Sequence, residues 1–164
     1  MIFVTLGTQD KEFRRLVLAV HKYVSENNVN EKIIIQSGNT KVNKDLFSEY
    51  SNVEVRKFMD KEEFEKIFKK ADIIITHAGV GTILTGLDMG KKMIVAARLK
   101  RYKEHVNDHQ LQLLDNFVDE GYVIPLEDFY DLAGAIEKVH DFVPKKFKSN
   151  NKKFNDLLEK EING

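Results

Sequence analysis

Short apolar segments alternate with amphipathic segments along most of the 164-residue chain. Six apolar segments are typical of β-strands, at residues 2–6, 33–36, 53–58, 72–76, 93–97 and 122–124. Because several of them hold apolar residues in succession rather than in alternation, we expect strands that are buried on both faces, as in a parallel sheet.

Helical periodicity fills the intervals between these strands. Five helices are indicated, at residues 13–24, from Asp60, through residues 83–87, from Asp108, and at about 128–139. Asp60 and Glu63 resemble a capping box, and Gly90 is expected to end the third helix. The alternation predicts right-handed β-α-β units and an α/β fold with a doubly wound, mainly parallel, Rossmann-like sheet.

The composition changes at the end of the chain. Residues 1–143 form the predicted domain, and residues 144–164 form a tail rich in lysine and asparagine, PKKFKSNNKKFNDLLEKEING. A basic amphipathic tail is typical of an element that docks on a partner or on an anionic membrane surface. A final helix that packs back onto its own domain fits the same pattern.

The charge balance, the cysteine content and the length of the apolar runs each exclude a class of protein. Lys and Arg number 26 and so do Asp and Glu, whereas a protein that binds nucleic acid normally has a basic excess. The absence of cysteine excludes a disulfide framework and a thiolate metal site. The opening MIFVTLG lacks the features of a secretory signal, and no apolar run approaches the ~20 residues that span a bilayer. We therefore expect a cytoplasmic domain with no nucleic-acid partner.

The loops that follow the strands carry the candidate chemistry, because open α/β sheets bind ligands beyond the carboxyl ends of their strands. After the first strand comes LGTQD, in which a glycine precedes two hydrogen-bonding side chains. After the fourth comes THAGVGT, where Gly79 and Gly81 allow a ligand to approach the backbone and Thr82 can cap the helix or bind an anion. This is neither a dinucleotide fingerprint nor a Walker loop, and a tight turn without a ligand explains the glycines nearly as well.

The third loop, RLKRYKEHVNDHQ at residues 98–110, is long and polar, as functional or mobile loops are. His105 and His109 are four residues apart, as in some metal sites. The predicted helix begins only near Asp108, however, so the helical ligand geometry is absent and we predict no metal. Asn107 and Asp108 can instead cap the helix.

Three stretches follow one another along the chain in a fixed order: FVTLGTQ, ADIIITHAGVGT and EHVNDHQ. Together they resemble the carboxyl-terminal half of glycosyltransferase family 28. That half binds the nucleotide sugar, and the family has the GT-B fold. The chain is similar to the small subunit of two-component bacterial capsule and exopolysaccharide glycosyltransferases. It is also similar to the catalytic subunit of the eukaryotic dolichol-linked N-acetylglucosaminyltransferase. The resemblance covers residues 1–139.

The resemblance implies that this chain binds a UDP-sugar donor without a metal or other cofactor. Carried over by position, the residues near the diphosphate or the donor sugar are Gly7, Thr8, Gln9, His77, Gly79, Gly81, Thr82, Asn107, Asp108, His109 and Gln110. The candidates for the general base are His77, His105 and Asp108, unless the base lies on a partner. One member of the family holds the ribose with a glutamate where this chain has Thr85, and Asp88 either replaces it or is a solvated helix-end acid.

A complete GT-B enzyme has two such domains, and this chain supplies one. The resemblance therefore implies a membrane-anchored partner that binds a polyprenyl-diphosphate-linked saccharide and places this chain at the inner face of the membrane. The predicted function is that of the donor-binding, catalytic subunit of a two-component hexosyltransferase in surface-polysaccharide biosynthesis, which transfers a hexose or an N-acetylhexosamine. A non-catalytic subunit that enhances a partner transferase is the alternative.

Overall fold

The structure, a computed structural model, describes residues 1–148 and 155–156. The strands in this part of the chain are β1 (Ile2–Thr5), β2 (Ile33–Gln36), β3 (Val53–Arg56), β4 (Ile73–His77), β5 (Lys92–Ala96) and β6 (Ile124–Pro125). The α-helices are α1 (Arg14–Glu26), α2 (Lys61–Lys70), α3 (Val80–Asp88), α4 (His109–Asp119) and α5 (Leu132–Asp141), and a short 3-10 helix spans Lys100–Tyr102.

The six strands form one sheet in the order β3-β2-β1-β4-β5-β6, and every pairing is parallel. The predicted doubly wound α/β fold is therefore confirmed. The chain runs outward from β1 to one edge and then from β4 to the other. This order places the topological switch point between β1 and β4, where open α/β sheets form their ligand crevice.

Successive residues of the four inner strands, β2, β1, β4 and β5, enter two separate cores, because side chains alternate between the faces of a sheet. Ile2 and Val4 of β1 pack into the core that α1 and α5 cover. Phe3, between them, packs into the core that α2, α3 and α4 cover. Burial on both faces explains the unbroken apolar runs from which the parallel sheet was predicted.

The ends of α2 and α3 follow the signals named above, and the start of α5 does not. The Asp60 side chain accepts a hydrogen bond from the Glu63 amide at 2.8 Å, as the capping box predicts. Gly90 has a φ of +66° just after α3. The predicted start of α5 near Asp128 is wrong, because Asp128 accepts from an amide two residues ahead, in a turn, and Asp131 caps the helix.

Part of the predicted tail lies against the domain. The Lys145 amide donates to the Gly121 carbonyl at 3.0 Å, and the Phe147 ring meets the Tyr122 ring edge-on at 5.6 Å between centroids. Most of residues 149–164 lie outside the described residues, so the docking role stays a prediction. Within the part of the chain that the structure describes, no helix has the length and apolar character that crossing a bilayer requires.

Candidate functional site

The loops after β1 and β4 meet at the switch point around one imidazole ring. A Cβ atom built on Gly7 would lie 2.7 Å from Cε1 of His77, and one on Gly79 would lie 2.6 Å from its Nε2. The Nε2–Cε1 edge of His77 therefore lies between the two glycines. Gly7 also has a φ of +79°, which favours glycine, so any side chain there would be strained as well as crowded.

The amino-terminal end of α3 forms the floor of the second loop. Gly79 is the cap residue, and the Ile83 amide makes the first helical hydrogen bond to its carbonyl at 3.1 Å. The amides of residues 80–82 therefore have no acceptor within the helix, and the positive end of the helix dipole lies beside them. A Cβ on Gly81 would meet nothing within 4 Å, so open space adjoins this turn. The capping role considered for Thr82 is wrong, and its half-exposed hydroxyl remains a candidate for anion binding.

His77 is held as a neutral ring. Its side chain is almost fully buried, and burial, together with the positive charges of Arg98 and His105, lowers the pKa of His77 to about 3. Gln110 Oε1 accepts from the Arg98 amide at 3.0 Å, which turns the Gln110 NH₂ group toward His77 Nδ1, 3.4 Å away. An NH₂ group can only donate, so Nδ1 accepts and the ring carries its proton on Nε2. The edge between the two glycines thus offers an N–H donor.

Gln110 lies beneath the site rather than in it. Its side chain is fully buried, and both ends of its amide are engaged inside the molecule, with Arg98 and His77. The resemblance predicts that this residue approaches the donor sugar. In the geometry observed, Gln110 contacts the ring of His77 and is not exposed to the crevice.

The loop after β5 approaches the loop after β1 from the other side. A shallow cleft of about 370 Å³ separates them, lined by Thr8, Gln9, Asp10, Lys11, His105 and Val106. Within this loop, Nδ1 of His105 accepts from the Asn107 amide at 3.3 Å. An imidazole whose Nδ1 accepts carries its proton on Nε2 when neutral. His105 therefore offers a second N–H donor beside the cleft.

The start of α4 completes the third loop. Asn107 Oδ1 accepts from the His109 amide at 3.0 Å, the first amide of α4, although Asn107 stands one residue before the cap position. Asp108 occupies the cap position, but its side chain does not cap. Its Oδ1 accepts instead from the Lys100 amide at 2.9 Å, which ties α4 to the 3-10 helix. The side chains of Asp108 and His109 are exposed at this corner of the site.

Thr85 and Asp88 lie farther along α3. The Thr85 hydroxyl donates to the Gly81 carbonyl at 2.9 Å, within the helix. Asp88 is exposed in the last turn, about 10 Å from Gly81 along the helix axis at the usual rise per residue. This distance favours the interpretation of Asp88 as a solvated helix-end acid.

Two charged residues beneath the loops were treated by the sequence analysis only as members of a polar segment. Arg98 and Glu104 are 1% and 2% exposed. Burial lowers the pKa of Arg98 to about 10, against the opposing effect of Glu104, so the guanidinium stays protonated at neutral pH. The one local signal is that Arg98 directly continues the apolar run MIVAA. Across residues 1–148 and 155–156, no three His, Cys, Asp or Glu side chains gather closely enough to hold a metal ion.

Comparison with known proteins agrees with this architecture. The sequence profile of the glycosyltransferase family 28 C-terminal domain matches residues 1–162. The UDP-N-acetylglucosamine transferase subunit ALG13 of Homo sapiens is 31% identical over 127 residues, which are 74% of this chain and 10% of that protein. The chain thus spans about a tenth of the length of this relative.

Solved structures show the same fold. The NMR structure of ALG13 superposes with a TM-score of 0.63 at 21% identity, over 99% of this chain and 96% of that chain. The crystal structure of Acinetobacter baumannii MurG superposes with a TM-score of 0.62 at 18% identity, over 85% of this chain and 41% of that chain. At these identities the likeness concerns the fold, and it confirms the predicted equivalence to half of a GT-B glycosyltransferase.

Proposed function

This chain belongs to the glycosyltransferase family 28 C-terminal domain family, and from that membership we propose that it is the donor-binding, catalytic subunit of a UDP-sugar glycosyltransferase. The observation that carries the proposal is the crevice between β1 and β4. There the neutral His77 ring packs against two glycines, beside the free amides at the start of α3. These are groups that bind a diphosphate without a metal.

The proposed reaction places the largest charge change in this crevice. The bond between the anomeric carbon and the diphosphate oxygen breaks, UDP departs with the electron pair, and the acceptor oxygen bonds to the anomeric carbon. Negative charge grows on the diphosphate in the transition state. The N–H of His77 and the dipole of α3 stabilise that charge, while Thr8, Gln9 and Thr82 offer further hydrogen bonds.

The proton of the acceptor hydroxyl needs a base, for which the three candidates differ. His77 is a poor base because its pKa is lowered to about 3. His105 is engaged already, since its Nδ1 accepts a hydrogen bond from the Asn107 amide. Asp108 presents an exposed carboxylate at the rim of the site. We assign to Asp108 the general base, to His77 the stabilisation of the leaving group, and to His105 and His109 contacts with the donor.

The donor sugar and the partner follow from the relatives. The human relative is named as a UDP-N-acetylglucosamine transferase subunit, which favours an N-acetylhexosamine over a plain hexose. The word subunit, and the match to 41% of the MurG chain, support a separate partner that supplies the other half of the cleft. We propose that this partner is anchored in the membrane, binds a polyprenyl-diphosphate-linked saccharide for surface-polysaccharide synthesis, and holds this chain at the inner face.

Calorimetric titration with UDP, UDP-N-acetylglucosamine and UDP-galactose, with NADH as a control ligand and EDTA present, tests the proposal. We expect saturable binding of the uridine nucleotides, and loss of that binding in Gly81→Val. The added side chain meets nothing within 4 Å at its Cβ, so it fills ligand space while the fold is kept. Lys66→Val, at an exposed position of α2, controls for valine in a helix.

Two outcomes contradict the proposal. Undiminished binding by Gly81→Val removes the diphosphate from this crevice. Absence of UDP binding, both by the chain alone and by the chain with its partner, removes the donor role altogether. Where UDP binds, turnover in the complex separates the alternatives. A catalytic subunit loses turnover in Asp108→Asn, whereas a non-catalytic enhancer keeps it.

A further inference from the structure

We propose that Arg98 is a positioning residue that holds the loop between β1 and α1 in the shape that the donor diphosphate requires. The inference rests on the function proposed above and adds to it a group that lies outside the crevice. Arg98 follows the last strand residue of β5 by two positions, and its side chain runs beneath the carboxyl end of β1.

The guanidinium bridges the two ends of the first loop. One terminal nitrogen donates to the Leu6 carbonyl, and the other donates to the Lys11 carbonyl at 2.7 Å. These carbonyls flank residues 7–10, which include Gly7, Thr8 and Gln9, the residues predicted to face the diphosphate. The planar fork of an arginine separates its donors at fixed angles, so one side chain sets the spacing of both ends of the loop.

The loop has a particular need for this restraint. Gly7 provides no side chain and adopts a φ of +79°, so its conformation depends on its neighbours. Carbonyl oxygens that turned toward the crevice would repel a diphosphate. Arg98 binds the oxygens of Leu6 and Lys11 inside the molecule, and Asn39 binds those of Thr8 and Gln9. The side chains of Thr8 and Gln9 line the cleft.

Arg98 is itself anchored from below. The Glu104 carbonyl accepts from Arg98 at 3.2 Å, while the Glu104 carboxylate accepts from Arg15 at 2.7 and 2.8 Å. Arg15 in turn lies between the rings of Tyr102 and Phe129, 4.1 and 4.0 Å from their centroids. Glu104 thus contacts two guanidinium groups, that of Arg15 through its carboxylate and that of Arg98 through its main-chain carbonyl. Its single negative charge leaves an excess of positive charge beneath the loop that would hold an anion.

The cost of burying Arg98 supports a role beyond packing. Its Nε is buried without a hydrogen-bond partner among the described residues. An apolar side chain of similar volume would avoid that penalty and the cost of taking a charge out of water. The donors that are satisfied contact loop carbonyls, so the arginine shapes the loop.

The test compares Arg98→Met, which removes both donors and charge, with Arg98→Lys, which keeps the charge but not the fork. Arg101→Met, at an exposed position of the same loop, is the matched control. The readouts are ¹⁵N backbone order parameters of residues 7–11 in the free protein and the Kd for UDP. We expect both Arg98 variants to lower the loop order parameters from about 0.85 to below about 0.6 while those of β1 and β4 stay high.

The Kd for UDP is expected to rise at least tenfold in Arg98→Met and by less in Arg98→Lys, and to stay unchanged in Arg101→Met. Wild-type order parameters of the loop in Arg98→Lys overturn the proposal. If Arg98→Met does not fold, the lysine variant alone decides. A wild-type chain that binds no UDP with or without its partner contradicts the donor function, whereas the order parameters still test the positioning role.

Discussion

The crevice between β1 and β4 and the loop after β5 differ in the groups that make them polar. The crevice is built from glycines, main-chain amides and a neutral His77. The loop after β5 carries its charges as side chains, and two of them, Arg98 and Glu104, are turned inward. The comparison teaches that Arg98 and Glu104 lie beneath the surface, while the crevice itself presents neutral donors. Such donors bind an anion at a small desolvation cost, and the buried charge keeps them in place.

Glu104→Gln, in the loop after β5, is the change expected to lower the unfolding free energy the most. Removal of the carboxylate charge breaks the salt bridge to Arg15 and takes the nearby negative charge away from the buried Arg98. Breaking a buried pair of this kind costs about 3 kcal/mol of unfolding free energy. Urea unfolding of the variant measures this loss. Glu127→Gln, at an exposed position, controls for the substitution, and equal stabilities of the two variants would contradict the buried network.

Gly7→Ala tests the packing of glycine against His77 in the crevice between β1 and β4. The new methyl group would crowd His77 and impose a positive φ on alanine, at a cost of about 2 kcal/mol of unfolding free energy. UDP affinity is expected to fall with it, because the edge of His77 moves. Gly81→Ala is the matched variant in the same crevice, and it should be neutral or slightly stabilising because its Cβ meets nothing within 4 Å. Equal unfolding free energies for the two variants would refute the packing of Gly7 on His77.

The neutrality of His77 predicts a specific pH dependence. The unfolded chain protonates this histidine below about pH 6.5, while the folded chain resists protonation down to about pH 3. The stability that it contributes is therefore present above pH 6.5 and is lost as the pH falls. The loss between pH 6.5 and 5 is about 1.5 kcal/mol by proton linkage.

Urea unfolding at a series of pH values measures this loss. In His77→Gln, the part of the fall in unfolding free energy that His77 causes between pH 6.5 and 5 should disappear. His140→Gln, at an exposed position, should keep the pH dependence of the wild type. A wild-type pH dependence in His77→Gln would mean that the ring is not held neutral. Of the three effects on unfolding free energy, this is the smallest, because it removes one proton equilibrium and leaves the packing intact.

Much of the fold is accessible from the sequence. The runs of apolar residues at β1, β4 and β5 predicted strands buried on both faces, and the Asp60 cap predicted the start of α2. The start of α5 was placed too early because Asp128 and Asp131 carry the same capping signal, and only one of them precedes the helix. The fold also predicted which loops form the candidate site. Parallel strands end at the same edge of the sheet, so the loops that follow them meet there.

The orientation of the polar side chains did not follow from local patterns. Gln110 and Asp108 stand in one motif, yet the structure buries the first beneath His77 and exposes the second. Gln110 lies on the buried face of α4 with Leu113 and Leu114, whereas Asp108 precedes the helix. The sequence placed the start of α4 only near Asp108, which is too coarse to separate the two residues.

Local signals thus settled the strands, the helices and the positions of the loops, because hydrophobic period, caps and glycines act within a few residues of one another. The tertiary structure decided that His77 is neutral and that Arg98 supports the first loop. Those properties depend on partners distant in sequence, since Arg98 and the Leu6 carbonyl are separated by 92 positions, and Arg15 and Glu104 by 89. Burial and charge pairing over such separations exist only once the sheet has brought the loops together.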